Sequence, residues 1–175
     1  LAQFTQFVLP HLVVGRRGPA PKLSLHATFN YLLQLLYMGC QWKELPIATG
    51  PDGRPEIHHT RIYRMFRYWQ AHGCFDLIFT DSVAALHAAN LLGTGVIHGG
   101  GTTTAAKKGG DKVVAFCDRN CNVIAPFVSA PGNRNESPLL RDALPQVMRI
   151  ARAVGFSLHG SVVSLDGVYD CRVNR

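Results

Sequence analysis

The sequence has 175 residues and a mass of 19.2 kDa, and 47% of its residues are apolar. That is enough to form a core in one domain or two small ones, and it excludes a disordered chain, collagen and a coiled coil. Eighteen Lys and Arg residues against eleven Asp and Glu residues give a formal net charge of +7, which indicates a polyanionic partner.

Neither a membrane span nor a secretory signal is expected. Even the apolar run Tyr31–Met38 is short and is interrupted by Gln34, whereas a span needs roughly 18 apolar residues. The first residues lack a Met and a basic region, so we expect an internal start rather than a signal peptide. Five Cys residues, an odd number, favour free thiols in a reducing cytoplasm.

The pair Cys117 and Cys121 allows two interpretations. It is half of a zinc site if a second ligand pair exists, but Cys171, His98 and His159 are scattered and follow no ligand spacing. The alternative is two ordinary thiols that flank a turn.

The first ninety residues are predicted to be helical. Ser24 is a good N-cap, Gly39 a stop signal and Thr60 a second N-cap. Pro10 weakens the first helical pattern, and a basic, Pro-rich linker, residues 15–22, follows it. The predicted helices cover residues 2–12, Ser24 to about Met38, Thr60 to about Ala71, and about Phe75 to Asn90.

From Gly95 the pattern changes to that of strands, followed by one helix and a final strand. Strands are predicted over residues 96–104, 112–117 and 123–129, a helix from Ser137–Pro138 to Val154, and a buried strand over residues 162–165. The second and third strands should form a hairpin around Asp118. The inward side chains of the helix are predicted to be Leu139, Leu140, Leu144, Val147, Met148 and Ile150 or Ala151.

A helix, a tight turn and a second helix with its own apolar stripe are typical of the helix-turn-helix plan. On the helix from Thr60, the spacing of three places Arg61, Arg64 and Arg67 on the side opposite the apolar stripe. Such a row suits groove reading or phosphate contacts. The alternative is a solvated basic face on a helical bundle.

Further cations could add phosphate contacts, namely Arg16 and Arg17 in the linker, and Lys107 and Lys108 among glycines. If about five such cations each neutralise one phosphate, the logarithm of the DNA affinity should fall with the logarithm of salt at a slope of about −4 to −5.

The chain resembles bacterial insertion-sequence transposases of the DDE type over nearly its whole length. The motifs that carry the resemblance are residues 21–24, 39–46 with Gly-Cys-x-Trp-x-x-Leu-Pro, 60–69, 97–110, 131–137, and 165–170 with Asp-x-x-Tyr-Asp. The resemblance implies an α+β protein: an all-α helix-turn-helix bundle over residues 1–92, then a partial ribonuclease H-like β-β-β-α-β domain over residues 93–175. In that domain the fourth strand returns parallel to the first.

The resemblance also implies a Mg²⁺ site of three carboxylates, because two ions must be held to activate the nucleophile and stabilise the leaving oxygen. Asp166 matches the second acidic position and is the expected catalytic residue and metal ligand. Its alternative role is to cap the turn before Gly167. Gly100 stands at the first acidic position, which is therefore vacant.

No Glu follows Asp166 in the 175 residues, so the third acid is missing too. Asp118 and Asp170 are interpreted as turn or cap residues. Glu136 lies near a helix start, where a carboxylate is favoured, and it precedes the position of the third acid.

These observations predict a transposase-family fragment that binds double-stranded DNA at insertion-sequence terminal repeats, with a homodimer possible, and that is catalytically incomplete. One alternative is an inactive DNA-binding remnant that occupies those repeats without cutting. Another is a helical interaction module that binds protein.

Overall fold

The computed structural model describes residues 1–15, 20–104 and 110–170. Helices come first and a four-stranded mixed sheet follows, so the α+β class and the order of elements are confirmed for these residues. The elements are α1 (Leu25–Met38), α2 (His59–Ala71), α3 (Cys74–Ala88), β1 (Val96–Thr103), β2 (Asp111–Asp118), β3 (Val128–Pro131), α4 (Ser137–Val154) and β4 (Val162–Leu165). None of the described helices is long and apolar enough to cross a membrane.

The chain divides into two compact units, Leu1–Ile78 and Phe79–Arg175, whereas the sequence suggested a boundary after residue 92. The division falls inside α3 because the helix supplies side chains to two cores. Cys74 is buried with the residues of the first unit. Val83 is buried with Ile150 and Phe156 of the second.

Helix α1 has the ends that the sequence predicts. The Ser24 hydroxyl accepts a hydrogen bond from the Ala27 N–H at 3.1 Å. Gly39 terminates the helix with φ 60°, in the left-handed region, and its N–H donates to the Leu35 carbonyl. Both caps are thus confirmed, and they satisfy backbone groups that a helix end leaves free.

The predicted N-cap of α2 is wrong. The helix starts at His59, and the cap is His58, whose Nδ1 accepts from the Thr60 N–H at 3.3 Å. The same Nδ1 lies 2.8 Å from the Thr60 hydroxyl. Thr60 therefore lies inside the first turn of the helix. The capping group is an imidazole, whereas N-caps are usually Ser, Thr, Asp or Asn side chains.

The helical pattern predicted for residues 2–12 forms only short, irregular turns. These are a π-helical turn, Phe4–Val8, and a 3-10 turn, Leu9–His11, that contains Pro10. The segment then reaches α2, where the indole N–H of the fully buried Trp69 donates to the Val13 carbonyl at 3.0 Å. The buried core of this unit consists of Leu12, Leu32, Leu45, Ile57, Ile62, Trp69 and Cys74.

The connection between α1 and α2 is longer than the tight turn of the helix-turn-helix prediction. It runs from Gly39 to His58 and contains the 3-10 turn Trp42–Glu44. A short connection occurs instead between α2 and α3, where His72 and Gly73 separate the helices and Gly73 has φ +67°. Glycine adopts that left-handed conformation without the steric cost of a side chain.

The sheet has the strand order β3-β2-β1-β4. β2 is antiparallel to β1 and β3, which confirms the hairpin, and β4 is parallel to β1. β3 begins at Val128 rather than at Val123, which forms only an isolated bridge to Cys117. The intervening residues 124 and 125 are instead fully buried in the core, so this part of the predicted strand is wrong.

Helix α4 packs on β2 and β3 and ends at Val154, as predicted, with Gly155 as its C-cap at φ 91°. Its buried residues are Leu139, Leu140, Ala143, Val147, Ile150 and Ala151. The prediction that Leu144 and Met148 point inward is wrong, because both side chains are exposed. The 100° step per residue turns them past the edge of the buried stripe.

Strand β4 was predicted to be buried, and this prediction is also wrong. Val162 is 63% exposed, Val163 44% and Leu165 38%. The reason is its place in the sheet: among the described residues β4 pairs with β1 on one side and with no strand on the other. Apolar sequence is what a strand buried on both faces requires, but burial depends on neighbours that the pattern does not specify.

Candidate functional site

The parallel pairing of β1 and β4 brings the two predicted acidic positions together. Gly99 pairs with Leu165, and the next residues along the two strands are Gly100 and Asp166. The Asp166 backbone remains extended, with φ −67° and ψ 152°. Positions 100 and 166 are therefore adjacent where β4 ends beside the middle of β1.

The two positions also face the same side of the sheet. A Cβ placed on Gly99 would lie 2.6 Å from the Leu165 Cδ2, so position 99 and Leu165 share one face. Because side chains alternate along a strand, Gly100 and Asp166 share the opposite face.

The space beside position 100 is open, and the Asp166 side chain is exposed. Apart from the adjoining residues of the chain, no described atom lies within 4 Å of a Cβ built on Gly100, and the Asp166 side chain makes no cap hydrogen bond. Within the described ranges, no group of three or more Asp, Glu, His or Cys side chains is placed to hold a metal ion. The donor set does not fit a Mg²⁺ pair, which needs several carboxylate ligands.

The opposite face of β1 carries a second polar cluster, formed by Glu136 and Tyr169. The Glu136 carboxylate and the Tyr169 hydroxyl fill the space that a Cβ on Gly101 would need. Tyr169 is 2% exposed, and burial together with a hydrogen bond to Glu136 raises its pKa to about 12. Glu136 is indeed the residue at the start of α4, but its side chain makes no cap hydrogen bond.

Sequence reasoning missed the role of Tyr169. It ends the 3-10 turn Gly167–Tyr169, which follows Asp166 directly, and its ring is buried in the core of the second unit. A signal was present in Gly99–Gly101, because glycine in a strand often marks a close approach by another group.

Asp118 and Asp170 are turn residues, as predicted. Asp118 is fully buried at the end of β2, and its carboxylate accepts hydrogen bonds from Gly93, Asn120 and Asn122. The Asp170 N–H donates to the Gly167 carbonyl and closes the last 3-10 turn.

Cys117 and Cys121 flank the turn after β2. Cys121 has φ 62° and is exposed, and its N–H donates to the Asp118 carbonyl. Burial, the neighbouring Cys121 and Asp118 raise the pKa of the partly buried Cys117 thiol. The described residues place no second ligand pair beside these thiols.

The three arginines of α2 form the exposed row that the spacing predicts. Ile62 and Trp69 are fully buried on the inner side of α2. The exposed side chains on the outer side include Arg61, Arg64 and Arg67. No hydrogen bond or ion pair ties their guanidinium groups to another described residue, so they are available to an external anion.

The remaining predicted DNA-binding cations, Arg16, Arg17, Lys107 and Lys108, lie outside the described residues.

Comparison of the chain with protein-family models, with curated proteins and with solved structures yields no match.

Proposed function

We propose that the chain is a DNA-binding protein of the insertion-sequence DDE transposase type, located with DNA in the bacterial cytoplasm. The observation that carries the proposal is the parallel pairing of β4 with β1, which sets Asp166 beside position 100 on one face. The order strand, strand, strand, helix, strand is that of the start of a ribonuclease H-like domain.

The exposed arginine row of α2 supports the DNA-binding part of this proposal. Three cations at one-turn spacing match the regular charge of a phosphate backbone, and arginine forms strong, directed bonds to phosphate oxygens. The positive net charge of the chain favours the same partner. The partner is double-stranded DNA, with the terminal repeats of an insertion sequence as the proposed target.

Strand cleavage by these residues alone is not proposed. Gly100 provides no carboxylate beside Asp166, and a single carboxylate does not hold the Mg²⁺ ions that the family chemistry needs. We expect the chain to leave a supercoiled plasmid unnicked in the presence of Mg²⁺. Nicking above the level of the buffer would contradict this part of the proposal.

DNA binding is tested by fluorescence anisotropy of a labelled duplex of mixed sequence over a series of NaCl concentrations. The chain should bind with an affinity that falls as salt rises, and Arg64→Glu should weaken binding and flatten the salt slope by about one unit or more. Arg141→Glu, the same charge change at an exposed position of α4, is the matched control. No binding above background, or a flat salt response, would refute the proposal.

A second candidate is a helical module that binds another protein. It is favoured by the exposed apolar end of α1, where Leu36 is 75% and Tyr37 94% exposed, since contiguous apolar surface often marks an interface. The same variants separate the candidates, because a pure protein-binding function predicts that Arg64→Glu leaves DNA affinity unchanged.

A further inference from the structure

A cleft of about 490 Å³ lies between α2 and the segment that leads into α1. The cleft is lined on one side by residues 20–23 and on the other by residues of α2. The volume is within the range of small-ligand sites, roughly 300–1,000 Å³.

Three cations surround this cleft: Lys22, Arg61 and Arg64. All three side chains are exposed, and the described residues of the lining include no Asp or Glu. Arg61 and Arg64 are one helical turn apart, so their Cβ atoms are about 5–6 Å from each other. Positive charges gathered without a carboxylate favour an anion, and the arginine groups suit phosphate oxygens in particular.

The rest of the lining is largely apolar. Ile57, Met65 and Tyr68 contribute to it, and the Tyr68 ring is held against the His72 ring at a centroid distance of 4.1 Å. A free phosphate would leave this surface unused. A nucleotide uses both parts, since its base can stack on an aromatic ring while its phosphate meets the cations.

We infer that this cleft binds one nucleotide of an unpaired DNA strand, with its phosphate at Lys22, Arg61 and Arg64 and its base against Tyr68. The inference rests on the proposed function and names the part of the DNA that this surface takes. It also gives the arginines of the row different roles. Arg61 and Arg64 line the cleft, whereas Arg67 does not and would contact only the duplex.

The test compares two labelled DNAs by fluorescence anisotropy: a blunt duplex, and the same duplex with a short single-stranded tail. The native chain should bind the tailed DNA about tenfold more tightly, the gain expected from stacking one base. Lys22→Gln and Tyr68→Leu should remove this gain, whereas Arg67→Gln should weaken both DNAs and keep the gain. Lys22 is exposed, so its variant keeps the test valid if Tyr68→Leu fails to fold.

The outcomes separate this inference from the proposed function. Binding of blunt duplex with no gain from the tail, or a gain lost equally in Arg67→Gln, would overturn the inference and leave the proposed function standing. Saturable binding of free dAMP that Lys22→Gln weakens, without DNA binding, would refute the proposed function and overturn the inference of a DNA-strand site, because the cleft would then hold a free nucleotide. Absence of both kinds of binding would overturn both.

Discussion

The carboxylate of Asp118 offers the sharpest test of the second unit. It is fully buried and accepts four hydrogen bonds. The donors are the N–H groups of Gly93 (2.7 Å), Asn120 (2.9 Å) and Asn122 (2.8 Å) and the Asn122 side-chain amide (3.1 Å). One side chain thus joins the segment before β1 to the turn after β2.

Replacement by alanine, Asp118→Ala, leaves these donors without their acceptor. A hydrogen bond to a charged group contributes about 1.5–3 kcal/mol, and such contributions are not additive. Asn120 is exposed and Asn122 is half-buried, so water can replace part of what is lost in the turn. We therefore expect a loss of about 3–4 kcal/mol in the free energy of unfolding, a large share of the total for a small domain.

Urea unfolding followed by circular dichroism measures this loss. Asp111→Ala is the matched control, because Asp111 is an exposed carboxylate at the other end of β2 and its removal should change stability by less than about 0.5 kcal/mol. A loss below about 1 kcal/mol for Asp118→Ala, or an equal loss in the control, would refute the assigned network.

The stability that the Asp118 carboxylate contributes should depend on pH. Burial raises the pKa of Asp118, but the hydrogen bonds from Gly93, Asn122 and Asn120 outweigh burial and hold it below its ordinary value. A carboxyl whose pKa is lowered by folding contributes stability above its unfolded pKa, about 3.9, and loses it as pH falls through the folded value. The difference in stability between the native chain and Asp118→Ala should shrink below about pH 4. A constant difference would contradict the reasoning.

Three further predictions concern other sites. Gly101→Ala should lower the free energy of unfolding in urea by about 1–3 kcal/mol, because the added Cβ meets Glu136. Gly100→Ala should leave the free energy of unfolding unchanged. Equal losses in the two variants would contradict the assignment of the two faces. Gly100→Asp should create a Mn²⁺ site beside Asp166, with a Kd on the order of 1 mM measured by calorimetry. The same binding heat in the native chain would show that position 100 does not contribute to Mn²⁺ binding. Trp69→Phe should lower the free energy of unfolding in urea by about 2 kcal/mol, because it removes the indole hydrogen bond to Val13 and leaves a small cavity. An unchanged midpoint of urea unfolding would argue against that hydrogen bond.

Part of the candidate site was predictable because it depends on chain order. An Asp after a short apolar strand, and a row of Arg at spacing three, place Asp166 at a strand end and the Arg row on one helix face whatever packs around them. The cleft was not predictable, because it needs Lys22 and α2 side by side in space. The Tyr169 and Glu136 cluster depends equally on the return of the chain to β1.

From α1 onwards, the sequence by itself determined the type and order of the helices and strands and several of their ends. Ser24, Gly39 and Gly155 act on backbone groups within a few residues, so their effects are local and readable. Only the tertiary structure decided what is buried. The apolar strand β4 is exposed at the edge of the sheet, whereas the charged Asp118 is buried, because burial follows from neighbours distant in the chain and a charge can be buried when it is fully hydrogen-bonded.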